Sequence, residues 1–327
     1  AYVELGQLTG EPTWRQRAEA CLDWLQRHPA PGCRGMGWGY PFDWYAVAVI
    51  PRGTPSGVVS ATVGQAFWQH YRWTQDANSR AMCEAIGTFF LHDLGYRRID
   101  AHRVCFRYTP MDEYYVHNAN LWVAAFLFEV GSALEREEWC ALARQAIQWT
   151  LDGQQASGAF PYWSDLNRGT VPTKRLTTVD HIHTGFVIRC LHRIAQQGAW
   201  PAVERALARA TTFYARELFT AEGLPKETPQ GNGPVDIHAC AEAILVGCEF
   251  APSDAAWQTI AERVAQWTCE HLWDERSGSF AAALRGGRPV RIAYSRWGQA
   301  WMLLALSRLF ATREHAHVRD HRLVGVS

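Results

Sequence analysis

The sequence lacks an excess of either charge. Its 32 lysine and arginine residues are balanced by 32 aspartate and glutamate residues, and neither sign forms a long run. Nucleic-acid-binding and anionic-membrane-binding surfaces need such an excess, so we expect no nucleic-acid partner. The sequence also lacks a run approaching the roughly 20 uncharged apolar residues of a membrane span, and a basic-then-apolar signal peptide. These absences predict a soluble protein.

Paired metal-binding or disulfide-forming cysteines are missing as well. The nine cysteines include no CxxC pair, and most lie in apolar helical stretches, which is typical of buried thiols in a reducing compartment. We therefore expect a cytoplasmic protein that needs no metal and no other cofactor. There is no GxSxG, no P-loop and no GxGxxG after a strand, which argues against esterase, NTPase and dinucleotide-binding functions.

What the sequence does contain is an internal repeat of about sixty residues. Five residues of the type that caps helix N-termini each precede an apolar helical run: Ser56, Asn118, Asp180, Asp236 and Ser295. The short side-chain oxygen of such a residue accepts a hydrogen bond from a backbone N–H that the helix leaves unpaired. The near-regular spacing predicts five equivalent helix starts.

The helices that follow these starts are apolar on nearly all faces, as in Leu121–Val130 and Ala239–Val246, which indicates burial on all sides. Between them lie helices with a single apolar face, including Trp139–Trp149 and Trp257–Trp267. An inner ring of buried helices inside an outer ring of one-sided helices explains this alternation. The sequence therefore predicts an all-α fold, an (α/α)6-type toroid, over residues 1–310.

The two ends of the chain depart from the repeat. Tyr2–Leu5, followed by the turn Thr9–Pro12, resembles the end of an inner helix, so we expect the toroid to be incomplete at the N-terminus or to have a helix upstream. Residues 311–327 have no core pattern and are expected to form a polar C-terminal tail.

On an inner helix, side chains near the N-terminus face the opening of the toroid, and loops that lead into inner helices emerge at the same end. This placement predicts that the candidate catalytic residues gather at one rim: His117, Asn118, Asn120, Asp180, His183, Asp236, His238, Arg296 and the nearby loop residue Tyr115. The candidate substrate-binding residues are mainly aromatic and lie mostly in the adjoining loops, where they would stack on a sugar ring: Asp43, Trp44, Tyr114, Tyr162, Trp163, Tyr294 and Trp297.

Several of these residues have an alternative structural role. Asn118, Asp180 and Asp236 are first of all helix caps. His181 and His183 diverge by about 200° on a helix, so only one can face the opening; we assign His183 to the site and His181 to packing. Trp122 and Trp301 are expected to be core residues.

Four segments resemble a bacterial family found with surface-polysaccharide biosynthesis genes: Gly37–Trp44, Tyr108–Pro110, Val116–Asn120 and Val179–Phe186. That family is similar in architecture to the (α/α)6-barrel carbohydrate enzymes, which include heparinase- and alginate-lyase-like proteins, glucuronyl C5-epimerases and unsaturated glucuronyl hydrolases. The resemblance covers most of the chain. It implies a carbohydrate-active enzyme with an oligo- or polysaccharide substrate.

Within that class, a uronate lyase or C5-epimerase is the first expectation. It needs an amide or cation beside the substrate carboxylate and a base that removes the C5 proton. The candidates are Asn118, Asn120 and Arg296 for the first role, and His183, His117 and Tyr115 for the second.

Three alternatives stay open. An inverting glycoside hydrolase would use Asp180 and Asp236, with Asp43 in reserve, as two carboxyl groups ~6.5–9.5 Å apart. A non-catalytic glycan-binding protein would use the same aromatic residues. A terpene cyclase or prenyltransferase toroid would use an aromatic lumen, although the DxDD motif is absent and no zinc-binding trio is evident.

Overall fold

A computed structural model of the chain describes residues 1–45, 47–231 and 233–324, with side chains of the last helix as far as Glu314. The described residues are mainly helical. The helices are α1 (Tyr2–Thr9), α2 (Pro12–Arg27), α3 (Gly57–Thr74), α4 (Ala77–Phe89), α5 (His117–Ala133), α6 (Glu137–Asp152), α7 (Thr173–Leu176), α8 (His181–Ala195), α9 (Pro201–Glu217), α10 (Ile237–Phe250), α11 (Ala255–Leu272) and α12 (Trp301–Val324).

Short antiparallel strands occupy the loops between the helices. They are β1 (Trp44–Tyr45), β2 (Val49–Ile50), β3 (Tyr96–Arg98), β4 (Val104–Phe106), β5 (Val235–Asp236), β6 (Trp273–Asp274), β7 (Ser279–Phe280), β8 (Ala283–Arg285) and β9 (Arg288–Val290). Three hairpins pair β1 with β2, β3 with β4 and β6 with β7, and a three-stranded sheet has the order β5–β8–β9. In that sheet Asp236 pairs with Ala283, which fixes the residue just before α10.

The chain forms two compact units. The terminal unit contains Ala1–Arg15, Asp180–Gly185 and the described residues from Phe213 onward. The central unit contains Gln16–Val179 and Phe186–Thr212.

The central unit is built around α5. From His117 to Gly131 every residue of this helix is buried, and it packs against α3 and α6. In α6, Trp139, Ala146 and Trp149 are buried while the opposite face is solvated. This pairing confirms the predicted arrangement of one fully buried helix beside one amphipathic helix. Each large apolar side chain buried in this way contributes about 1.5–3 kcal/mol.

The terminal unit repeats the arrangement with α10 at its centre. Residues Ile237–Cys248 of α10 are buried, and α10 packs against α11 and α12. Its apolar core includes Ile244, Val264 and Met302. The two units therefore use the same local solution, because each of these helical runs has no polar face to turn toward water.

Three of the five predicted caps are confirmed. Ser56 accepts a hydrogen bond from the Val59 N–H, Asp236 from the His238 N–H, and Asp180 from the His183 N–H. The prediction is wrong for Asn118, which lies inside α5 after the cap position of Val116, because the helix begins two residues earlier than the pattern suggests. It is also wrong for Ser295, the first residue of a π-helical turn, Ser295–Ala300, whose cap position is Tyr294.

At the start of the chain, α1 ends at Gly10, whose φ of 69° is left-handed; this agrees with the predicted helix end and turn. At the other end, α12 continues to Val324, so the segment expected to be a tail is helical that far, and residues 325–327 lie outside the described residues. Of the described helices, none combines the length and apolar character needed to cross a lipid bilayer.

Candidate active site

The first turn of α8 holds a histidine and a carboxylate in direct contact. The ring Nδ1 of His183 lies 2.7 Å from Oδ2 of Asp180, and the backbone N–H of His183 donates to Oδ1 of Asp180 at 2.8 Å. Both contacts arise because Asp180 is the helix cap. The carboxylate that accepts from the backbone N–H of the first turn also contacts the imidazole three residues later. The His183 side chain is 31% exposed, so solvent or a substrate can reach it.

The charge of this pair is fixed by its surroundings. Burial alone would raise the pKa of the Asp180 carboxyl, but the charge of His183 and the hydrogen bonds from its ring and backbone outweigh burial and lower that pKa. Asp180 is therefore ionised, and a carboxylate can only accept a hydrogen bond. Nδ1 of His183 must carry the proton, which leaves the lone pair of the neutral ring on Nε2.

His181 has the packing role that the sequence predicted. It is fully buried, its Nδ1 lies 3.0 Å from the Leu218 carbonyl, and its Nε2 lies 2.6 Å from the Tyr214 hydroxyl. Burial lowers the pKa of His181 to about 4. The imidazole is therefore a neutral core group.

A second carboxylate sits at the start of α10. Asp236 accepts hydrogen bonds from the His238 N–H at 2.8 Å and from the Trp297 indole N–H, at 3.1 Å to Oδ1 and 3.2 Å to Oδ2. Burial raises the pKa of the Asp236 carboxyl, and these hydrogen bonds offset only part of the effect. Asp236 thus holds its proton more tightly than an ordinary aspartate, whereas Asp180 holds its proton less tightly.

His238 is buried between two indoles. Its ring is edge-on to Trp297 at 4.5 Å between centroids and stacked on Trp301 at 4.7 Å. Trp297, expected to bind substrate, is therefore also a structural partner of both Asp236 and His238. Trp301, expected to be core, forms part of the wall behind this cluster.

The starts of α8 and α10 are neighbours at the same end of the terminal unit. The His181 N–H donates to the carbonyl of Glu227, which lies in the loop leading to α10. Farther along, a Cβ at Gly185 would lie 2.3 Å from Cγ of Glu242, so only glycine permits this approach of the two helices. The structure therefore brings Asp180 and His183 onto a helix beside the one that carries Asp236 and His238.

Two other candidates in the terminal unit lie near this cluster in sequence. Arg296 places its guanidinium 5.6 Å from the Trp297 ring centre. Tyr294 is 49% exposed and caps the turn that contains both residues. A cation is thereby held next to the indole that binds Asp236.

The central unit gathers most of the predicted aromatic residues in two adjoining groups. A small hollow is lined by Trp44 and Tyr108 together with Tyr40 and Phe42; Tyr40 and Phe42 are stacked at 5.4 Å, and Trp44 lies 5.3 Å from Tyr108. The sequence reasoning missed Tyr40 and Phe42 as binding candidates, although both belong to the Gly37–Trp44 segment that carried the family resemblance.

The second aromatic group surrounds Trp163, which lies 5.7 Å from Tyr114 and 4.9 Å from Tyr162. It shares one hydrophobic cluster with Trp44 and Tyr108. Asp43, by contrast, is exposed and accepts from the Arg52 N–H at 2.8 Å, so it joins the two ends of the β1–β2 hairpin.

Three candidates near the start of α5 make structural contacts, and their catalytic role stays a prediction. Asn120 is fully buried, with Oδ1 accepting from the Phe106 N–H and Nδ2 donating to Ala146 and Thr150. Tyr115 packs in a buried cluster with Cys105 and Trp149. The His117 ring stacks on Trp149 at 4.6 Å.

The environment of His117 explains its role. Burial lowers its pKa to about 4, and a Cβ at Gly153 would lie 2.3 Å from its Cε1 atom. His117 therefore fills the contact between α5 and the end of α6. Asn118 shares one feature with His117, because Oδ1 of Asn118 and Nδ1 of His117 are both buried without a hydrogen-bond partner among the described residues.

Among the residues that the structure describes, no group of three or more His, Cys, Asp or Glu side chains is arranged to hold a metal ion.

The sequence matches no protein-family model and no curated protein, but its fold is similar to solved structures. A cellobiose 2-epimerase from Bacillus thermoamylovorans B4167 aligns with a TM-score of 0.71 at 10% identity, over 95% of this chain and 85% of that one. A GH76 α-mannanase from Bacteroides thetaiotaomicron aligns with a TM-score of 0.69 at 12% identity, over 98% and 85%. A polysaccharide lyase aligns with a TM-score of 0.64 at 10% identity, over 95% and 87%. The chain therefore has the all-α, α/α-toroid fold.

Proposed function

We propose that this chain is a carbohydrate-active enzyme that removes a proton from a sugar carbon, as an epimerase or lyase does, with His183 as the base. The observation that carries the proposal is the 2.7 Å contact between His183 Nδ1 and Asp180 Oδ2. It fixes the tautomer in which Nε2 accepts a proton, in a side chain that remains partly exposed. The substrates named for the solved neighbours, which include a disaccharide and polysaccharides, support a saccharide.

Asp180 acts in this scheme as the positioning residue. When Nε2 takes a proton, the ring becomes cationic, and the adjacent carboxylate stabilises that charge without itself being protonated. Both Asp180 oxygens are committed to His183, so Asp180 is poorly placed to activate water by itself.

Asp236 is the complementary acid. Because burial raises its pKa, its acid form persists to a higher pH than that of an ordinary aspartate, and that form can deliver a proton to the substrate. In an epimerisation the proton returns to the same carbon from the opposite face. In an elimination the C–H electron pair forms the new double bond, and Asp236 protonates the departing glycosidic oxygen.

A uronate remains the proposed substrate class. The C5 proton of a uronate becomes acidic when the neighbouring carboxylate is held by a cation, and Arg296 places a guanidinium beside Trp297, the hydrogen-bond partner of Asp236. The stacked aromatic rings of the central unit have the chemistry that binds sugar faces.

Inverting glycoside hydrolysis is the second candidate, because the pKa values of Asp180 and Asp236 are displaced in opposite directions. The axes of packed helices are about 8–10 Å apart, so two caps on adjacent helices would be separated by about that distance. This range overlaps the ~6.5–9.5 Å between the two carboxyl groups of inverting enzymes. The commitment of both Asp180 oxygens to His183 makes this candidate the weaker one.

The test is a substrate panel in D2O. Polygalacturonate, alginate, cellobiose and mannose are incubated with the wild type, with His183→Gln, and with His192→Gln as a control on the same helix. NMR follows deuterium at the sugar carbons, ultraviolet absorbance follows unsaturated uronates, and a reducing-end assay follows hydrolysis.

We expect deuterium incorporation, with or without an unsaturated product, that His183→Gln lowers by about 10²–10⁴-fold and His192→Gln leaves unchanged. Reducing ends without deuterium exchange at carbon would favour the hydrolase. A His183→Gln variant as active as the wild type would contradict the proposal.

A further inference from the structure

Two buried polar atoms on one face of α5 have no hydrogen-bond partner among the described residues. They are Oδ1 of Asn118 and Nε1 of Trp122, in side chains that are 3% and 5% exposed. Buried donors and acceptors in folded proteins are almost always satisfied, because an unpaired group has lost its hydrogen bonds to water without gaining any in return. A pair of unpaired groups side by side therefore calls for a ligand that completes them.

Comparable buried amide and indole groups of the central unit find hydrogen-bond partners within the fold, although Nδ1 of His117 and Nε of Arg107 do not. The equally buried indoles of Trp38 and Trp68 donate to the Leu25 carbonyl and to Glu129. Asn120, two residues beyond Asn118 and on another face of α5, uses its whole amide inside the fold. Among these amides and indoles, the unpaired atoms are those of Asn118 and Trp122, which share one face of α5.

The spacing of Asn118 and Trp122 along the helix suits one small group. Residues four apart on a helix lie on the same face, with about 5–6 Å between their Cβ atoms. One oxygen that makes two hydrogen bonds of roughly 2.8 Å can join polar atoms that are about that far apart. The ring of Phe186, edge-on to Trp122 at 5.5 Å between centroids, adds an apolar wall.

The chemistry of the pair selects a neutral hydroxyl. One atom is an acceptor and the other a donor, and a hydroxyl group is both. A carboxylate or phosphate would be repelled by the Asn118 oxygen, and an ammonium group could not accept from the indole. We propose that Asn118 and Trp122 form a hydroxyl-binding subsite at the start of α5, which recognises one hydroxyl group of a saccharide. Its assignment to a sugar hydroxyl rests on the proposed function.

The test uses three variants of the whole chain. Trp122→Phe removes the N–H and keeps an aromatic ring, and Asn118→Leu removes the amide at similar volume. Trp68→Phe is the matched control, because it removes an indole N–H that has a protein partner. Calorimetry measures the Kd for cellobiose and for digalacturonate, and thermal unfolding is measured for each variant.

A second readout follows the Trp122 indole N–H directly. Its NMR resonance is assigned by its absence in Trp122→Phe, and it is titrated with the two sugars and, separately, with glycerol as a hydroxyl compound that is not a saccharide.

We expect Trp122→Phe and Asn118→Leu to weaken sugar binding by about tenfold. Trp68→Phe should keep wild-type affinity and lower the unfolding midpoint more than Trp122→Phe does, because both changes remove the same volume from the core and only Trp68 also loses an internal hydrogen bond. The Trp122 resonance should shift on sugar addition, and Asn118→Leu should abolish the shift.

The remaining outcomes separate the two proposals. If the sugars bind but the Trp122 resonance does not move and both variants bind like the wild type, the subsite is overturned and the proposed function stands. If no sugar binds but glycerol shifts the resonance in the wild type and not in Asn118→Leu, the subsite stands and the proposed function fails. If no sugar binds and glycerol does not move the resonance either, both are overturned.

Discussion

His181 makes the stability of this protein depend on pH in a predictable window. Its neutral ring is fully buried, with Nδ1–H donating to the Leu218 carbonyl and Nε2 accepting from the Tyr214 hydroxyl. Its pKa falls from the ordinary 6.5 to about 4. At pH values between these two pKa values, the histidine is protonated in the unfolded chain and neutral in the folded chain. The free energy of unfolding therefore decreases as the pH falls.

The size of the effect follows from the two pKa values. Each pKa unit is worth 1.36 kcal/mol, so the fall from 6.5 to about 4 corresponds to roughly 3 kcal/mol. This contribution is fully present above pH 6.5, is lost progressively down to about pH 4, and does not change further once both states are protonated. A loss of this size is a large part of the 5–15 kcal/mol that stabilises a typical protein.

A pair of substitutions isolates this residue. His181→Phe alone removes the histidine partner of the Tyr214 hydroxyl and of the Leu218 carbonyl, at a cost of about 1–3 kcal/mol for each buried group. Adding Tyr214→Phe removes one of those groups as well, so the double variant should recover part of the loss. Both variants should lose the share of the pH dependence that His181 supplies.

The assay is urea unfolding, followed by tryptophan fluorescence, at several pH values from about 7.5 to about 4. This range spans the pKa of the histidine in the unfolded chain, about 6.5, and in the folded chain, about 4. Ring NMR of the folded wild type should place the His181 titration near pH 4. An unfolding midpoint that depends on pH equally in the wild type and in His181→Phe would refute the reasoning, as would a titration near the ordinary value.

Two further predictions concern the helix start that carries the candidate base. Asp180→Asn keeps a good N-cap but removes the charge that orients and stabilises His183, so turnover should fall by about 10²–10⁴-fold; equal turnover would remove Asp180 from the mechanism. Gly185→Ala places a Cβ 2.3 Å from Glu242 Cγ, so chemical denaturation should show a loss of about 1–3 kcal/mol, and a wild-type midpoint would contradict the close approach of the two helices.

The repeat made the fold predictable from sequence. Helices with no polar face have to be buried, and helices with one apolar face have to cover them, so α5 with α6 and α10 with α11 follow from periodicity alone. The caps at Ser56, Asp180 and Asp236 were predictable for the same local reason. The start of α5 was not, because a valine at the cap position leaves no side-chain signal.

The site was only partly predictable, because residue type does not reveal which partner a side chain finds. Asn118 and Asn120 belong to one motif, yet the amide of Asn120 is consumed by Phe106, Ala146 and Thr150. Those partners come from a hairpin and an outer helix whose positions depend on tertiary packing. His117 likewise looks like a catalytic residue in the sequence and is a neutral packing group beside Trp149.

Repetition creates equivalent positions, and the partners at each position make them chemically different. Asp180 and Asp236 are both caps that precede buried helices, and burial acts on both carboxyl groups in the same direction. At Asp180 an imidazole three residues along the helix supplies a compensating charge, so the carboxylate is ionised. At Asp236 the compensating groups are an indole and a backbone N–H, which carry no net charge, so burial prevails and the pKa is raised. The two helix starts differ three residues after the cap, where one has a histidine at position 183 and the other an alanine at position 239. This difference gives two equivalent caps different chemistry, so that one helix start carries a candidate base and the adjacent one a candidate acid.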